Sequence, residues 1–203
     1  IVAESAVNFY APGVTSRDLE KFTEKYRLNS RIVKNDGRIE EEVYRIGGRY
    51  SPELEKIVAN LEKAEAAITD EPKEGSQSPA AERKKVYELL IKFFRSGEIK
   101  DFDEYNIQWV KTRTNVDTIL GFIESYKDPR GAKASYESVV FYTDAEGTKL
   151  MNLLGEKVKY FEEKMPWDPK YSRSNFGTPP CANAVNVALG AGDSGTLPPI
   201  GIN

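Results

Sequence analysis

Apolar residues recur at intervals of three and four along two long stretches of the chain, which is the spacing of one buried helix face. Ser51-Pro52 precedes the first stretch and Ser78-Pro79 the second, and proline is favoured in the first turn of a helix. Gly97 follows the second stretch, at a position where glycine often ends a helix. The pattern therefore predicts two amphipathic helices. Their apolar positions are Leu54, Ile57, Val58, Leu61 and Ile68 in the first, and Val86, Leu89, Leu90, Phe93 and Phe94 in the second.

Weaker patterns extend the helical part of the chain. Thr15 and Asp18 have the spacing of a capping box, in which each side chain accepts a hydrogen bond from the other residue's backbone, and they predict the start of a short helix. Gly47-Gly48 is predicted to stop another short helix. We also predict an extended link at Leu28–Lys34 and three further helices at Glu40–Ile46, Phe102–Lys111 and Asp144–Glu163.

The pattern changes to β-branched and aromatic side chains at Val116–Tyr126, which predicts a strand. Asp128-Pro129-Arg130-Gly131 has the composition of a turn, and Ser135–Tyr142 is predicted to be the return strand of a β-hairpin. Two later strands are predicted at Ala184–Leu189 and Ile200–Asn203, separated by a glycine-rich loop. The predicted fold class is therefore α+β, mostly helical with a small and mainly antiparallel sheet.

Composition narrows the classes of function. The chain has 203 residues, enough for one large domain or two small ones, and its charged fraction of 30% indicates a soluble, helix-rich globular protein. A net charge of −3 gives no general attraction to nucleic acid or anionic lipid. No apolar run approaches the roughly 18 residues of a membrane span, so neither nucleic acid nor membrane is an expected partner. Cys181, the one cysteine, fits a reducing compartment, and the cytoplasm is the expected location.

Glu124 and Tyr126 are candidate site residues, because side chains two positions apart on a strand share one face. A carboxylate there can bind an ammonium group through a charge-assisted hydrogen bond. A phenol can donate a hydrogen bond to a developing oxyanion. From the spacing alone, the outward polar side of an ordinary half-buried strand is the simpler interpretation.

The sequence GFIESYKDPRG at Gly121–Gly131 closely resembles a motif of the dipeptidyl peptidase III family, whose members are zinc enzymes that remove dipeptides from peptide N-termini. Every defined position of the family motif G-F-I-E-S-Y-x-D-P is present. The sequence PPIGIN at Pro198–Asn203 resembles the start of the family's Gly-Ile-Asn strand, which lines the other side of the same cleft. The resemblance covers most of the chain and thins in Thr69–Ala81 and Ser172–Asp193.

The resemblance implies roles for individual residues. Tyr126 matches the catalytic tyrosine that stabilises the tetrahedral intermediate, and Glu124 matches the glutamate that holds the substrate's free α-amino group. Glu137 matches a second acidic residue near the N-terminal subsite, and an ordinary solvated strand glutamate is the alternative there. Asn203 matches an asparagine that helps to hold the substrate N-terminus.

The segment before Asn203 is also implicated by the resemblance. Pro199 and Gly201 match the sheet edge to which the substrate adds as an extra strand, a mode called β-augmentation. Proline suits such an edge because it need not donate a hydrogen bond to a neighbouring strand. The implied partners are short peptides with a free N-terminus.

The family's zinc-binding helix, H-E-x-x-G-H, has no counterpart here, because the chain contains no histidine. We therefore expect zinc in the complete enzyme, no metal bound by this chain, and no activity of the isolated chain. The chain is expected to be a fragment of a two-lobed metallopeptidase, with the remainder of the catalytic lobe as its partner. Residues 1–143 would supply lower-lobe helices and a β-hairpin that is part of a β-barrel. Residues 144–180 would be a helix and connector of the upper lobe, and residues 181–203 would return to the lower-lobe sheet.

Two alternative functions stay open. The chain could be a non-catalytic helical interaction module, which is the expected function if it has no metal-binding remainder. It could also be part of a Nudix hydrolase–peptidase fusion, since some relatives of this family follow a Nudix domain. The Nudix sequence motif is not in this chain, so a fusion would place it upstream of Ile1.

Overall fold

Helices and short strands follow one another in runs of two or three along most of the chain in the computed structural model, which describes residues 8–70, 78–173, 175, 182–195, 199 and 201. The helices are α1 (Ser16–Glu20), α2 (Ser51–Ala66), α3 (Ala80–Ser96), α4 (Ile99–Lys111), α5 (Ala145–Glu156) and α6 (Val158–Lys164). The strands are β1 (Ser30–Asn35), β2 (Arg38–Val43), β3 (Val116–Phe122), β4 (Tyr136–Thr143) and β5 (Val185–Gly192). Two short 3-10 turns lie at Pro169–Tyr171 and Asp193–Gly195.

All strand pairing within the two sheets is antiparallel. Strands β1 and β2 form a two-stranded sheet, and β3, β4 and β5 form a three-stranded sheet with β4 in the centre. The predicted α+β fold class, mostly helical with antiparallel pairing, is confirmed. In the residues that the structure describes, neither sheet closes into the β-barrel that the resemblance implied.

The main core lies between helices α2, α3 and α4 and the inner face of β3. Helix α3 contributes Phe93 and Phe94, and both side chains are fully buried. The ring of Phe93 lies 4.7 Å from that of Phe102, which in turn lies 5.7 Å from Tyr105, so aromatic contacts join α3 to α4. The predicted apolar stripes are confirmed in most positions, because all but one of the residues that α2 and α3 bury in this core come from them. The residues from the stripes are Leu54, Val58, Leu61, Val86, Leu90, Phe93 and Phe94, and the further one is Ile91 of α3.

Two predicted helix ends, the start of α1 and the end of α3, agree with the structure. Thr15 and Asp18 form the predicted capping box at α1, with the Thr15 backbone N–H donating to Asp18 Oδ2 over 3.0 Å. Helix α3 ends at Gly97, whose φ of 71° lies in the left-handed region that glycine adopts without strain. The helix predicted at Asp144–Glu163 is present but is divided at Lys157 into α5 and α6.

The short helix predicted at Glu40–Ile46 is wrong, because strand β2 occupies Arg38–Val43. The predicted extended link is its partner, strand β1. Asp36 and Gly37 connect the two strands and both have positive φ, 48° and 81°. An Asp-Gly pair with two positive φ values makes the tight turn whose twist matches a β-hairpin. This local turn preference, together with pairing to β1, outweighs the helix preference of the glutamates in β2.

Large apolar side chains are exposed on α5, α6 and β5. On the two helices they include residues of the predicted stripe, with exposed fractions of 56% for Leu150, 43% for Leu154 and 46% for Phe161. Every residue of β5 is exposed. No helix in the described residues is long and apolar enough to cross a membrane.

Candidate functional site

The segment that carries Glu124 and Tyr126 leaves the sheet directly after β3. Two hydrogen bonds extend the β3–β4 ladder beyond Phe122, from Ile123 N to Ser135 O over 3.2 Å and from Ser135 N to Glu124 O over 3.1 Å. Glu124 is therefore the last paired residue, and Tyr126 lies on the turn that follows. The predicted strand Val116–Tyr126 is too long at this end, so strand alternation does not place these two side chains on one face.

Both side chains are open to solvent. Tyr126 is 73% exposed, and Glu124 is exposed as well. Between the turn and the sheet, Lys127 Nζ lies 2.8 Å from Asp193 Oδ2 in the 3-10 turn after β5. This ion pair lowers the pKa of Asp193 and joins the Tyr126 turn to the end of the edge strand.

Glu137 lies on β4 at the same end of the sheet, opposite Gly121 of β3 and Gly192 of β5. Ser194 Oγ donates to its Oε2 over 3.0 Å. Its other oxygen, Oε1, is buried and accepts no hydrogen bond within the described part of the chain. A buried carboxylate oxygen without a donor is an energetically costly arrangement that a bound cation would relieve.

The electrostatic surroundings of Glu137 are negative. Burial raises the pKa of its carboxyl, the hydrogen bond from Ser194 opposes this shift, and the nearby charges of Glu124 and Asp193 raise the pKa further. Lys127 lowers it by a smaller amount. The carboxylates of Glu124 and Asp193 thus act on that of Glu137, with the ammonium group of Lys127 beside them. This arrangement favours a ligand that carries a positive charge.

Asp128 lies beside this site, and the sequence pattern predicts only that it is part of a turn. Its carboxylate is 4% exposed and accepts hydrogen bonds from the backbone N–H groups of Ala132 (2.7 Å), Lys133 (2.8 Å) and Arg130 (3.1 Å). The Tyr10 hydroxyl donates to the same carboxylate over 2.9 Å. The Asp-Pro pair in a predicted turn is the sequence signal for a role of this aspartate. No local pattern predicts its partner Tyr10, which is 118 residues away in the chain.

A buried ion cluster lies behind this turn. Glu24 contacts Arg130 over 2.6 Å and Lys133 over 2.5 Å, and the Lys133 side chain is fully buried. Lys133 also donates to Ser30 Oγ over 2.7 Å. Burial opposes ionisation of Glu24, but the two cations outweigh it and hold the pKa of Glu24 below its ordinary value. The turn is therefore attached to the segment around β1, and the Glu24–Lys133 pair of this cluster is almost completely shielded from water.

The structure brings together Glu124, Tyr126 and Glu137 of the predicted site. Pro199 is half-buried and Gly201 is exposed, and neither belongs to a strand. Asn203 lies outside the described residues, as does most of the strand predicted at Ile200–Asn203.

The residues that the structure describes do not fit a zinc centre. Catalytic and structural zinc sites use three or four ligands from histidine, cysteine and carboxylates. The described residues contain no group of three or more such side chains that could hold a metal ion, and the whole sequence has no histidine. No chemistry at this site is therefore assigned to a metal held by this chain.

Known proteins are similar to this chain over part of their length. Dipeptidyl peptidase 3 of Rattus norvegicus is 28% identical over 133 residues, which are 65% of this chain and 17% of the rat protein. Dipeptidyl peptidase 3 of Nematostella vectensis is 27% identical over 157 residues, 77% of this chain and 20% of that protein. Nudix hydrolase 3 of Arabidopsis thaliana is 26% identical over 145 residues, 71% of this chain and 17% of that protein. The chain thus spans about a fifth of the length of these relatives.

Solved structures share the fold. Dipeptidyl peptidase III from Caldithrix abyssi superposes with a TM-score of 0.75 at 20% identity, over 93% of this chain and 35% of that one. The enzyme from Corallococcus sp. strain EGB gives a TM-score of 0.66 at 20% identity, over 93% of this chain and 34% of that one. Residues 9–203 also match Peptidase family M49. With nearly its whole length matched, and with the motif Gly121–Gly131 at a sheet end that carries three carboxylates, the chain belongs to peptidase family M49.

Proposed function

We propose that the complete protein releases dipeptides from the free N-termini of short peptides, and that this chain binds the substrate's N-terminus. The observation that carries the proposal is the buried, unpartnered Oε1 of Glu137 beside the exposed Glu124 and Tyr126. The names of the dipeptidyl peptidase relatives support the reaction.

The substrate ammonium group binds between Glu124 and Glu137. An ammonium group has three N–H donors, and it satisfies the free oxygen of Glu137 while it neutralises the repulsion between the two carboxylates. Pro199, Gly201 and Asn203 hold the first residues of the peptide as an added strand. An acetylated N-terminus offers neither the charge nor the three donors, so this arrangement selects free N-termini.

Tyr126 acts on the scissile carbonyl. Its hydroxyl lies on a turn that projects from the sheet end, two residues beyond Glu124, and it is accessible to a peptide anchored there. When the carbonyl becomes tetrahedral, the phenol donates a hydrogen bond to the developing oxyanion. Loss of one such donor typically lowers the rate by about 10²–10³.

The metal that the family resemblance implies belongs to the complete enzyme and is held outside this chain. The reason is the ligand chemistry, since no histidine is available. The isolated 203-residue chain is expected to bind no stoichiometric zinc and to hydrolyse no dipeptidyl arylamide. Elemental analysis after dialysis against zinc measures the first expectation. Turnover that depends on added metal would contradict the second.

Substitution of Tyr126 in the complete protein tests the proposed function. With a dipeptidyl arylamide, Tyr126→Phe should lower kcat by about 10²–10³ and change KM little, because the lost hydrogen bond forms only in the transition state. Tyr142→Phe is the matched control, since Tyr142 is also an exposed tyrosine, 48% accessible, near the other end of the same hairpin. Near-normal kcat in Tyr126→Phe would remove this residue from the reaction and refute the assignment.

Two other functions each have one supporting observation. The exposed apolar side chains of α5 and α6, such as Leu150 and Phe161, favour an interaction surface. The similarity to a protein named Nudix hydrolase 3 favours a fusion with a Nudix domain. Hydrolysis of nucleoside diphosphate derivatives by the complete protein would support the fusion. An inert complete protein that binds peptides without cleaving them would support the interaction module.

A further inference from the structure

We propose that Asp128 is a positioning residue for Tyr126, and that the buried contact from Asp128 to Tyr10 fixes the turn from which Tyr126 projects. This inference rests on the proposed function, because it concerns the geometry of the same site. Asp128 touches no substrate in this account. It acts through the backbone of the segment that carries the phenol.

The position of Tyr126 depends on its backbone. Its side chain is 73% exposed, so surrounding side chains restrain it little. The chain before it is fixed by the ladder bond between Ser135 N and Glu124 O. The chain after it is fixed at Asp128, whose N–H donates to Ser125 O over 3.1 Å and whose carbonyl oxygen accepts from Gly131 N over 2.9 Å.

The carboxylate of Asp128 completes the turn with bonds that only a carboxylate can make. Oδ2 accepts from the backbone N–H groups of Ala132 and Lys133, and Oδ1 accepts from that of Arg130. All these partners are donors. An asparagine would therefore direct its NH₂ group at one or more backbone N–H groups in either orientation of the amide. A buried donor facing a donor loses its bond and displaces the turn.

Tyr10 connects the carboxylate of Asp128 to the rest of the protein. Its hydroxyl lies 2.9 Å from Oδ1 and 3.0 Å from Oδ2 of Asp128, and its side chain is 4% exposed. Residues on either side of it are bonded to Ile32 of β1, through Ala11 N to Ile32 O (2.8 Å) and Ile32 N to Phe9 O (2.9 Å). Hydrogen bonds thus connect the turn that carries the Tyr126 phenol to β1, although Tyr10 and Asp128 are 118 residues apart in the chain.

A double-mutant cycle in the complete protein tests this inference. The variants are Asp128→Asn, Tyr126→Phe and the pair, with kcat and KM measured on a dipeptidyl arylamide. Asp128→Asn alone should lower kcat by about 10-fold to 100-fold, since a displacement near 1 Å of a reacting group costs about that much. In the Tyr126→Phe background the same change should alter kcat by less than about threefold, because there is no phenol left to misplace.

Two further variants keep the test decisive. Tyr10→Phe removes only the hydroxyl and keeps the ring. It should lower kcat by a smaller factor than Asp128→Asn does, and this loss should also disappear in the Tyr126→Phe background. It takes the place of Asp128→Asn if that variant does not fold. Asp103→Asn on the exposed side of α4 is the matched control and should leave kcat unchanged.

Each outcome separates the two proposals. If the wild type is inactive, or if Tyr126→Phe is fully active, the proposed function is refuted. Suppose that Tyr126→Phe has a lower kcat, and that the Asp128 and Tyr10 substitutions lower kcat by the same factor with or without the Tyr126 phenol. The positioning role is then refuted and the proposed function stands. Normal kcat in a folded Asp128→Asn variant would overturn the positioning role in the same way.

Discussion

The acidic residue Asp117 makes the stability of this protein depend on pH in an unusual direction. It lies in β3 and lines a cavity of about 310 Å³ between that strand and helices α2, α3 and α4. Trp109 Nε1 donates to its Oδ2 over 2.8 Å, and Thr118 N donates to its Oδ1 over 2.7 Å. Burial outweighs both hydrogen bonds and raises the pKa of Asp117 from 3.8 to about 6.

The size of the effect follows from the two pKa values. Between pH 4 and pH 6 the folded protein holds a proton on Asp117 that the unfolded chain has released, so the free energy of unfolding falls as the pH rises through that window. The stabilisation by the protonated form is complete below pH 3.8 and is lost as the pH rises past about 6. At about 1.4 kcal/mol for each tenfold difference in proton affinity, the total is about 3 kcal/mol. Roughly 2 kcal/mol of it falls between pH 4 and pH 7.

Asp117→Asn removes this titration. We expect the free energy of unfolding of the variant, minus that of the wild type, to rise by about 2 kcal/mol between pH 4 and pH 7 in urea denaturation. The difference cancels the contributions of other titrating groups. Asp103→Asn, on the exposed side of α4, is the matched control variant. Trp167→Phe leaves Trp109 as the one tryptophan. In this variant the fluorescence of Trp109 should titrate near pH 6 when Asp117 is present, and it should not do so when Asp117→Asn is added. A constant Asp117→Asn difference across this range would refute the argument from burial.

Two predictions concern stability at the site. Lys133→Met should lower the free energy of unfolding by about 3–5 kcal/mol, because it leaves the nearly buried carboxylate of Glu24 with one cation fewer. Lys149→Met, at a lysine whose side chain is 72% exposed, is the control and should lower it by about 1 kcal/mol at most. Equal losses in the two variants would contradict a stabilising role of the buried pair. Gly192→Ala should cost at least about 1 kcal/mol in the same assay, because the φ of 63° is unfavourable for alanine and its Cβ would overlap the carbonyl oxygen of Tyr136. Gly201→Ala, where the added Cβ meets open space, is the control, and a neutral Gly192→Ala would show that the β4–β5 register at Glu137 tolerates the shift.

Sequence pattern predicted those elements whose stabilising contacts recur along one segment. Helices α2 and α3 bury stripes at helical spacing, and Gly97 and the Thr15 capping box fix helix ends through neighbouring residues. Sequence pattern alone predicts a helix in place of strand β2, because the glutamates there favour helices in isolation. Its pairing with β1 depends on residues outside the segment, although the Asp36-Gly37 turn was a local sign of it.

The candidate site divides in the same way. Glu124, Tyr126 and Glu137 are predicted site residues because of the family resemblance of their motif, and the structure places all three on one hairpin. The bond between Asp128 and Tyr10, and the ions Glu24 and Lys133, join segments about a hundred residues apart, and no periodic pattern records such contacts. The end of β3 at Phe122 was also missed, since strand propensity continues beyond the point where pairing stops.

The most direct test of the central claim compares one peptide with its N-acetylated twin. The complete protein is incubated with both, and the products are identified by mass spectrometry over time. The account predicts that the N-terminal dipeptide is released from the free peptide, that the acetylated peptide stays intact, and that Glu124→Gln and Glu137→Gln raise KM for the free peptide. Equal cleavage of both peptides, or release of a fragment of another length, would contradict recognition of the substrate ammonium group by Glu124 and Glu137.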